Sequence, residues 1–196
     1  MARYTGLDPQ KTDRIRNAAI ALFFEQGVEK TTIAQIAQRA EIAKGTIYLY
    51  YTSRDALLED VFWYCHARHA GAADRGLDLL PTACDKLKQR VENSIRWQLC
   101  HPEEAYVQGR YYIAHPFSNE GQTPLVLHYT SQRQIIEAGV AAGEFKDLPV
   151  PLLGELINST ASGVIAYMTR YPEMLENRAI LDLALEAIVA GLRAKV

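Results

Sequence analysis

Seven consecutive residues, Lys44 to Tyr50 (KGTIYLY), hold an ammonium, three hydroxyls and several methyl groups in two turns of chain. Ile47 and Tyr51 stand four apart and share one face of a helix, so if that face turns inward the remaining side chains lie on or beside the outward one. The outward set suits the major groove of duplex DNA. Lys44 can donate to guanine O6 and N7 or to a phosphate, Gly45 lets the backbone come close, and Thr46 and Leu49 offer methyls to thymine. The hydroxyls of Thr46, Tyr48 and Tyr50 suit phosphate oxygens, and Arg54 and Thr32 extend that chemistry to both flanks. Taken singly, Tyr48 and Tyr50 would be ordinary half-buried aromatics and Lys44 a solvated lysine. Their register with the surrounding signals gives them a joint meaning.

Those signals are helical. Asp8-Pro9 supplies an N-cap and a first-turn proline, after which Ile15, Ala19, Leu22 and Phe23 repeat along one face until Gly27 offers a stop. Thr32 with Gln35 matches a capping box, and Ile33, Ile36, Ala37 and Ala40 form a narrow apolar stripe. A short break at Glu41-Ile42 leads into the Lys44 helix. Thr52-Ser53 then caps a fourth helix carrying Leu57, Leu58 and Val61. Two short helices joined by about three residues and buttressed by a third are the arithmetic of a helix-turn-helix.

Composition agrees with a folded chain: 196 residues, 48% hydrophobic and 22% charged, enough for one good core or two small ones. No run approaches the roughly 18 apolar residues of a membrane span, and MARYTGLDPQ lacks the apolar centre of a signal peptide; a cytoplasmic location is expected. Cys65, Cys84 and Cys100 form no CxxC pair and read as free thiols. The net charge of −2 divides into +2 over residues 1–55 and −4 over the rest, a mildly basic head on an acidic body. Cys65-His66-x-x-His69 could place two metal ligands on one face, but a third and fourth are not evident, which favours a structural or surface role. Without a GxSxG elbow or a phosphate-binding glycine loop, no enzyme, cofactor or metal is expected.

The segment LFFEQGVEKTTIAQIAQRAEIAKGTIYLYYTSRDALL, Leu22 to Leu58, resembles the DNA-binding signature of the tetracycline-repressor (TetR) family. Gly27, Val28, Thr31, Thr32, Ile33, Ile36, Ala37, Ala40, Ile42, Gly45, Thr46, Ile47, Tyr48, Tyr50, Ser53, Arg54, Leu57 and Leu58 stand where that pattern puts those types. Three positions depart from it. Glu41 replaces the turn glycine, Ala43 replaces a serine that would cap the recognition helix, and Tyr51 replaces a phenylalanine and must find a partner for its hydroxyl or let it reach water. The resemblance implies a helix-turn-helix domain over residues 1–52 and an effector-binding and dimerisation domain over 53–196. The implied protein is a ligand-responsive regulator, foremost a repressor, that binds a palindromic operator as a homodimer and is released by a small apolar or aromatic effector. The alternative is a helical-bundle ligand-binding protein or enzyme without DNA-binding function.

The rest of the chain also reads as helices, which makes the fold all-α with about nine of them. The fourth runs to Gly71, another from Pro81 or Thr82 to Cys100, a shorter one over PEEAYVQGRYYIA, and one from Thr123-Pro124 to Gly143. The last two, PLLGELINSTASGVIAYMTRY and RAILDLALEAIVAGL, mix small and apolar residues. The resemblance makes these a four-helix dimer interface, with Leu156, Gly163, Leu181, Leu185, Ile188 and Leu192 as its expected contacts. It also implies a small-molecule pocket among the middle aromatics. Trp63, Trp97, Tyr111 and Phe117 are the expected lining, with Arg110 and His128 as polar anchors.

Overall fold

The computed structural model describes residues 8–114 and 130–194. Among these, nine α-helices follow one another: α1 (Pro9–Gln26), α2 (Ile33–Arg39), α3 (Lys44–Tyr50), α4 (Arg54–Ala73), α5 (Ala83–Cys100), α6 (Pro102–Ala114), α7 (Thr130–Ala141), α8 (Val150–Arg170) and α9 (Arg178–Ala190). Short 3-10 turns lie at Leu77–Leu79 and Pro172–Glu176. The expected all-α fold is observed; α4 ends two residues beyond the glycine expected to stop it. The start expected at Thr123-Pro124 lies outside the described residues. The chain forms two compact units, Met1–Ala67 with Pro102–Pro116, and Arg68–His101 with Phe117–Val196.

In the first unit the caps read from sequence close the helix ends. Asp8 accepts from the Gln10 amide at 2.9 Å, and Gly27 ends α1 with φ 90°. Thr32 and Gln35 form a reciprocal capping box at the start of α2, and Ser53 Oγ accepts from the Ala56 amide at 3.0 Å at the start of α4. The core gathers one stripe from each helix: Ile15, Ala19 and Phe23 of α1, Ile36 and Ala37 of α2, Ile47 of α3, Leu57 and Val61 of α4, and Val107 of α6.

The second unit packs α5, α7, α8 and α9 around Leu87, Ile95, Ile136, Leu153, Ile157, Met168 and Leu181. The buried guanidinium of Arg90 donates to Asp74 at 3.0 Å and to Gln132 at 2.8 Å, and Gln132 in turn donates to Asn158 at 3.3 Å. A buried charge persists only when paired and hydrogen-bonded in this way. The Glu144 carboxylate accepts from the Ala83 and Cys84 amides at 3.1 and 2.9 Å, closing the α5 N-terminus, where the helix dipole favours an anion. Gly139 permits close approach of Phe145, since a Cβ there would lie 2.2 Å from the ring. Gly139→Ala should therefore destabilise the protein by about 1–3 kcal/mol, the usual cost of overpacking, as measured by urea denaturation of the full chain.

Candidate nucleic-acid interface

Helix α3 has seven residues and begins without a side-chain cap, because Ala43 offers no oxygen. Helices shorter than about 12 residues are marginal alone in water, so packing must hold this one in place. Its residues fall into four strips spaced one turn apart. Ile47 and Tyr51, the latter at the C-cap, are buried at 0% and 8% exposure. Thr46 and Tyr50 are half-buried, whereas Lys44 with Tyr48 and Gly45 with Leu49 are exposed.

The joint between α2 and α3 is a strained turn. Glu41 has φ 53°, a left-handed conformation that costs a residue with a Cβ about 1–2 kcal/mol. Arg14 of α1 offsets part of that cost by donating to the carbonyls of Ala40 and Glu41, the latter at 3.0 Å. The joint before α2 is held similarly. The Arg54 guanidinium donates to the carbonyls of Val28 and of Thr31, the latter at 3.1 Å, and the buried Thr31 hydroxyl donates to the Gly27 carbonyl at 2.9 Å.

The hydroxyl of Tyr51 has a specific partner. It donates to Asp60 Oδ2 of α4 at 2.7 Å, while Arg16 of α1 grips the same carboxylate with two bonds of 2.8 Å. The Arg16 guanidinium carbon also lies 4.9 Å from the centre of the Tyr64 ring, a cation–π distance. One carboxylate thus ties α1, α4 and the end of α3 together. The sequence marks the Tyr51 hydroxyl as needing a partner but does not single out Asp60 or Arg16; the spacing from Tyr51 to Asp60 crosses a helix boundary and has no periodic signature.

Lys44 and Tyr48 form one wall of an open cleft of about 450 Å³, completed by Glu29, Thr31, Thr32, Ile33, Ala34 and Arg54. Of the residues read from sequence as DNA contacts, Thr32, Lys44, Gly45, Tyr48 and Leu49 are all exposed. Three of the set also have duties inside the unit. Thr32 caps α2, Tyr50 accepts through its hydroxyl from the Asp8 amide at 3.2 Å, and Arg54 is braced on two carbonyls. Glu29 brings to the cleft an acidic side chain that no sequence signal marks.

The residues expected to line an effector pocket are divided between the units. In the first, Phe62 stacks on Tyr111 with ring centres 3.9 Å apart and meets Trp63 edge-on at 4.9 Å, and Arg110 is exposed. In the second, Trp97 is 7% exposed and stacks with both His69 and His101, each ring centre 4.7 Å away. Trp97 therefore offers little open surface to a ligand. Phe117 and His128 lie outside the described residues. Leu181, Leu185, Ile188 and Leu192 are at most 4% exposed and belong to the second unit's own core, because the helical period that makes them a stripe turns that stripe onto α5 and α8. Leu156 and Gly163 of α8 are exposed.

Two short helices at a tight left-handed turn, the second carrying exposed polar side chains, define a helix-turn-helix protein. Residues 15–61 match the family described as bacterial regulatory proteins, tetR family. The HTH-type transcriptional regulator TtgR of Pseudomonas putida is 31% identical over 100 residues, a match covering 48% of each chain. The chain spans between 13% and 48% of the length of the curated relatives it matches. A TetR family transcription regulator from Marinobacter aquaeolei VT8 shares the fold over 95% of this chain and 97% of its own, with a TM-score of 0.80 at 18% identity. The transcriptional regulator FadR from Bacillus subtilis, solved in complex with stearoyl-CoA, shares it over 91% of this chain and 98% of its own, with a TM-score of 0.68 at 20% identity.

The Tyr51 tie has a pH signature. Burial, then the hydrogen bond to Asp60 and its negative charge, raise the Tyr51 pKa well above the usual 10.0. The folded state therefore favours the neutral phenol, and the stability this contributes is complete below pH 10.0 and declines as pH rises beyond it. Tyr51→Phe should lose about 1 kcal/mol at neutral pH and show a shallower decline above pH 10.0, measured by urea denaturation across that range. Equal slopes for the two proteins would show that the tie is absent.

Proposed function

We propose that this chain is a DNA-binding transcriptional regulator of the cytoplasm that acts as a homodimer, foremost as a repressor, and is released from its operator by a small apolar or aromatic molecule. The observation that carries the reading is the division of α3 into buried and open strips. The buried strip holds a helix too short to stand alone, and the open strips present Lys44, Gly45, Tyr48 and Leu49 to the outside. A helix about 10–12 Å across fits the major groove. Within it, Lys44 serves guanine or phosphate, Thr46 and Tyr48 serve phosphate, and the cleft beside Thr32 and Arg54 receives the flanking backbone. Tyr50 and Arg54, already engaged, contribute chiefly by fixing the position of the helix.

Fluorescence anisotropy with the duplex upstream of the chain's own gene tests this. Neutralising phosphates releases counterions, so affinity should fall steeply and linearly in log–log form as salt rises. Lys44→Ala and Tyr48→Ala should each weaken binding at fixed salt with the fold unchanged, the former by about 1–3 kcal/mol if it serves a base. Wild-type affinity in both variants would remove α3 from the interface.

For the dimer, the supporting observation is the outer face of α8. Leu152, Leu156, Tyr167 and Tyr171 are 42–48% exposed and recur along one side with Ser159 and Gly163 between them. Leu183 of α9 is 71% exposed. A two-fold pairing of such faces is self-complementary and matches a palindromic site. A Cβ on Gly163 would meet nothing within 4 Å, so a larger residue there leaves the monomer intact. Gly163→Leu should shift sedimentation towards monomer and reduce operator affinity together. A dimer of unchanged stability would place the interface elsewhere.

Effector release is supported by the shared fold of the Bacillus subtilis FadR solved with stearoyl-CoA and by the aromatic content of the middle helices.

A further inference from the structure

Gly45 lies in the first turn of α3, where glycine weakens a helix relative to alanine, and α3 is already short and uncapped. Nothing inside the protein asks for it. Its backbone is not among the positive-φ glycines, and a Cβ at this position would meet nothing within 4 Å. One turn further on the same open strip stands Leu49, an apolar side chain 71% exposed and outside the unit's core cluster. The two features explain each other if a surface comes against the bare backbone at Gly45 and meets the leucine beside it.

Resting on the reading of α3 as the helix that enters DNA, we infer that Gly45 and Leu49 together form the part of the interface that reads a thymine. The thymine C5-methyl is the apolar group that base-pair edges present in the major groove, and it is where a leucine can add to recognition. Gly45 lets the helix sit close enough for that contact, because any Cβ at this position would stand between backbone and base edges. Lys44 and Tyr48, on the neighbouring strip, supply the polar contacts. Each operator half-site therefore contains one thymine whose methyl matters and whose hydrogen-bonding groups alone do not suffice.

The test uses the full chain and a duplex that it selects from a randomised library. Each thymine is replaced in turn by deoxyuridine, which removes the methyl and leaves the hydrogen-bonding edge intact, and affinity is read by anisotropy. Wild-type protein should lose about fourfold at one thymine per half-site, the value of one buried methyl. Leu49→Ala should bind the thymine and deoxyuridine duplexes equally. Gly45→Ala should melt at the same temperature or higher, yet lose about tenfold or more in affinity. Indifference of the wild-type protein to every deoxyuridine, or full affinity in Gly45→Ala, would overturn the inference while leaving DNA binding in place. Failure to select any sequence would instead overturn the regulator reading on which it stands.

Discussion

A seven-residue helix has no stability of its own, and everything proposed for α3 depends on the burial of Ile47 and Tyr51 that holds it. Nucleating a helix fixes several backbone dihedrals for a single hydrogen bond, and α3 lacks both a capping side chain and a good helix former at Gly45. Burying a side chain the size of Ile47 supplies about 1.5–3 kcal/mol, and Tyr51 adds a charge-assisted hydrogen bond to Asp60. Two inward residues one turn apart fix the rotation of the helix about its axis, and that rotation decides which residues face outward.

The polar contacts of the first unit serve the same end. Arg14 and Arg54 each end on backbone carbonyls at the two joints that bracket α2, and Arg16 ends on the Asp60 carboxylate. These are basic residues in a mildly basic head, but their guanidinium groups are directed into the protein, where they hold the turns. The positive φ of Glu41 belongs to this arrangement: the strained turn persists because Arg14 on α1 and the stripe of α2 determine it from both sides.

The second unit shows how one stripe can be read two ways. Helix α9 is apolar over much of its circumference, and Leu181, Leu185 and Ile188 turn to the core while Leu183 stays out. Helix α8 buries Leu153, Ile157 and Met168 and exposes Leu152, Leu156 and Tyr167. Both faces of α8 are apolar enough to bury, so its hydrophobic pattern does not say which of them turns to the core, whereas the neighbouring helices do.

Much of the head was legible from sequence because its signals are local. The Asp8 cap, the capping box of Thr32 and Gln35, the Ser53 cap and the inward pair Ile47 and Tyr51 each involve residues a few positions apart, and short-range sterics and hydrogen bonding determine them. The all-α class followed from the same periodicity. What only the tertiary structure decided were the contacts between distant residues: Asp60 as partner of Tyr51 and Arg16, Arg54 turned onto the carbonyls of Val28 and Thr31, Trp97 stacked with His69, and the α9 stripe turned to the core. Periodicity says that a residue lies on an apolar face or carries a donor; which other element meets that face or accepts from that donor depends on how the helices pack.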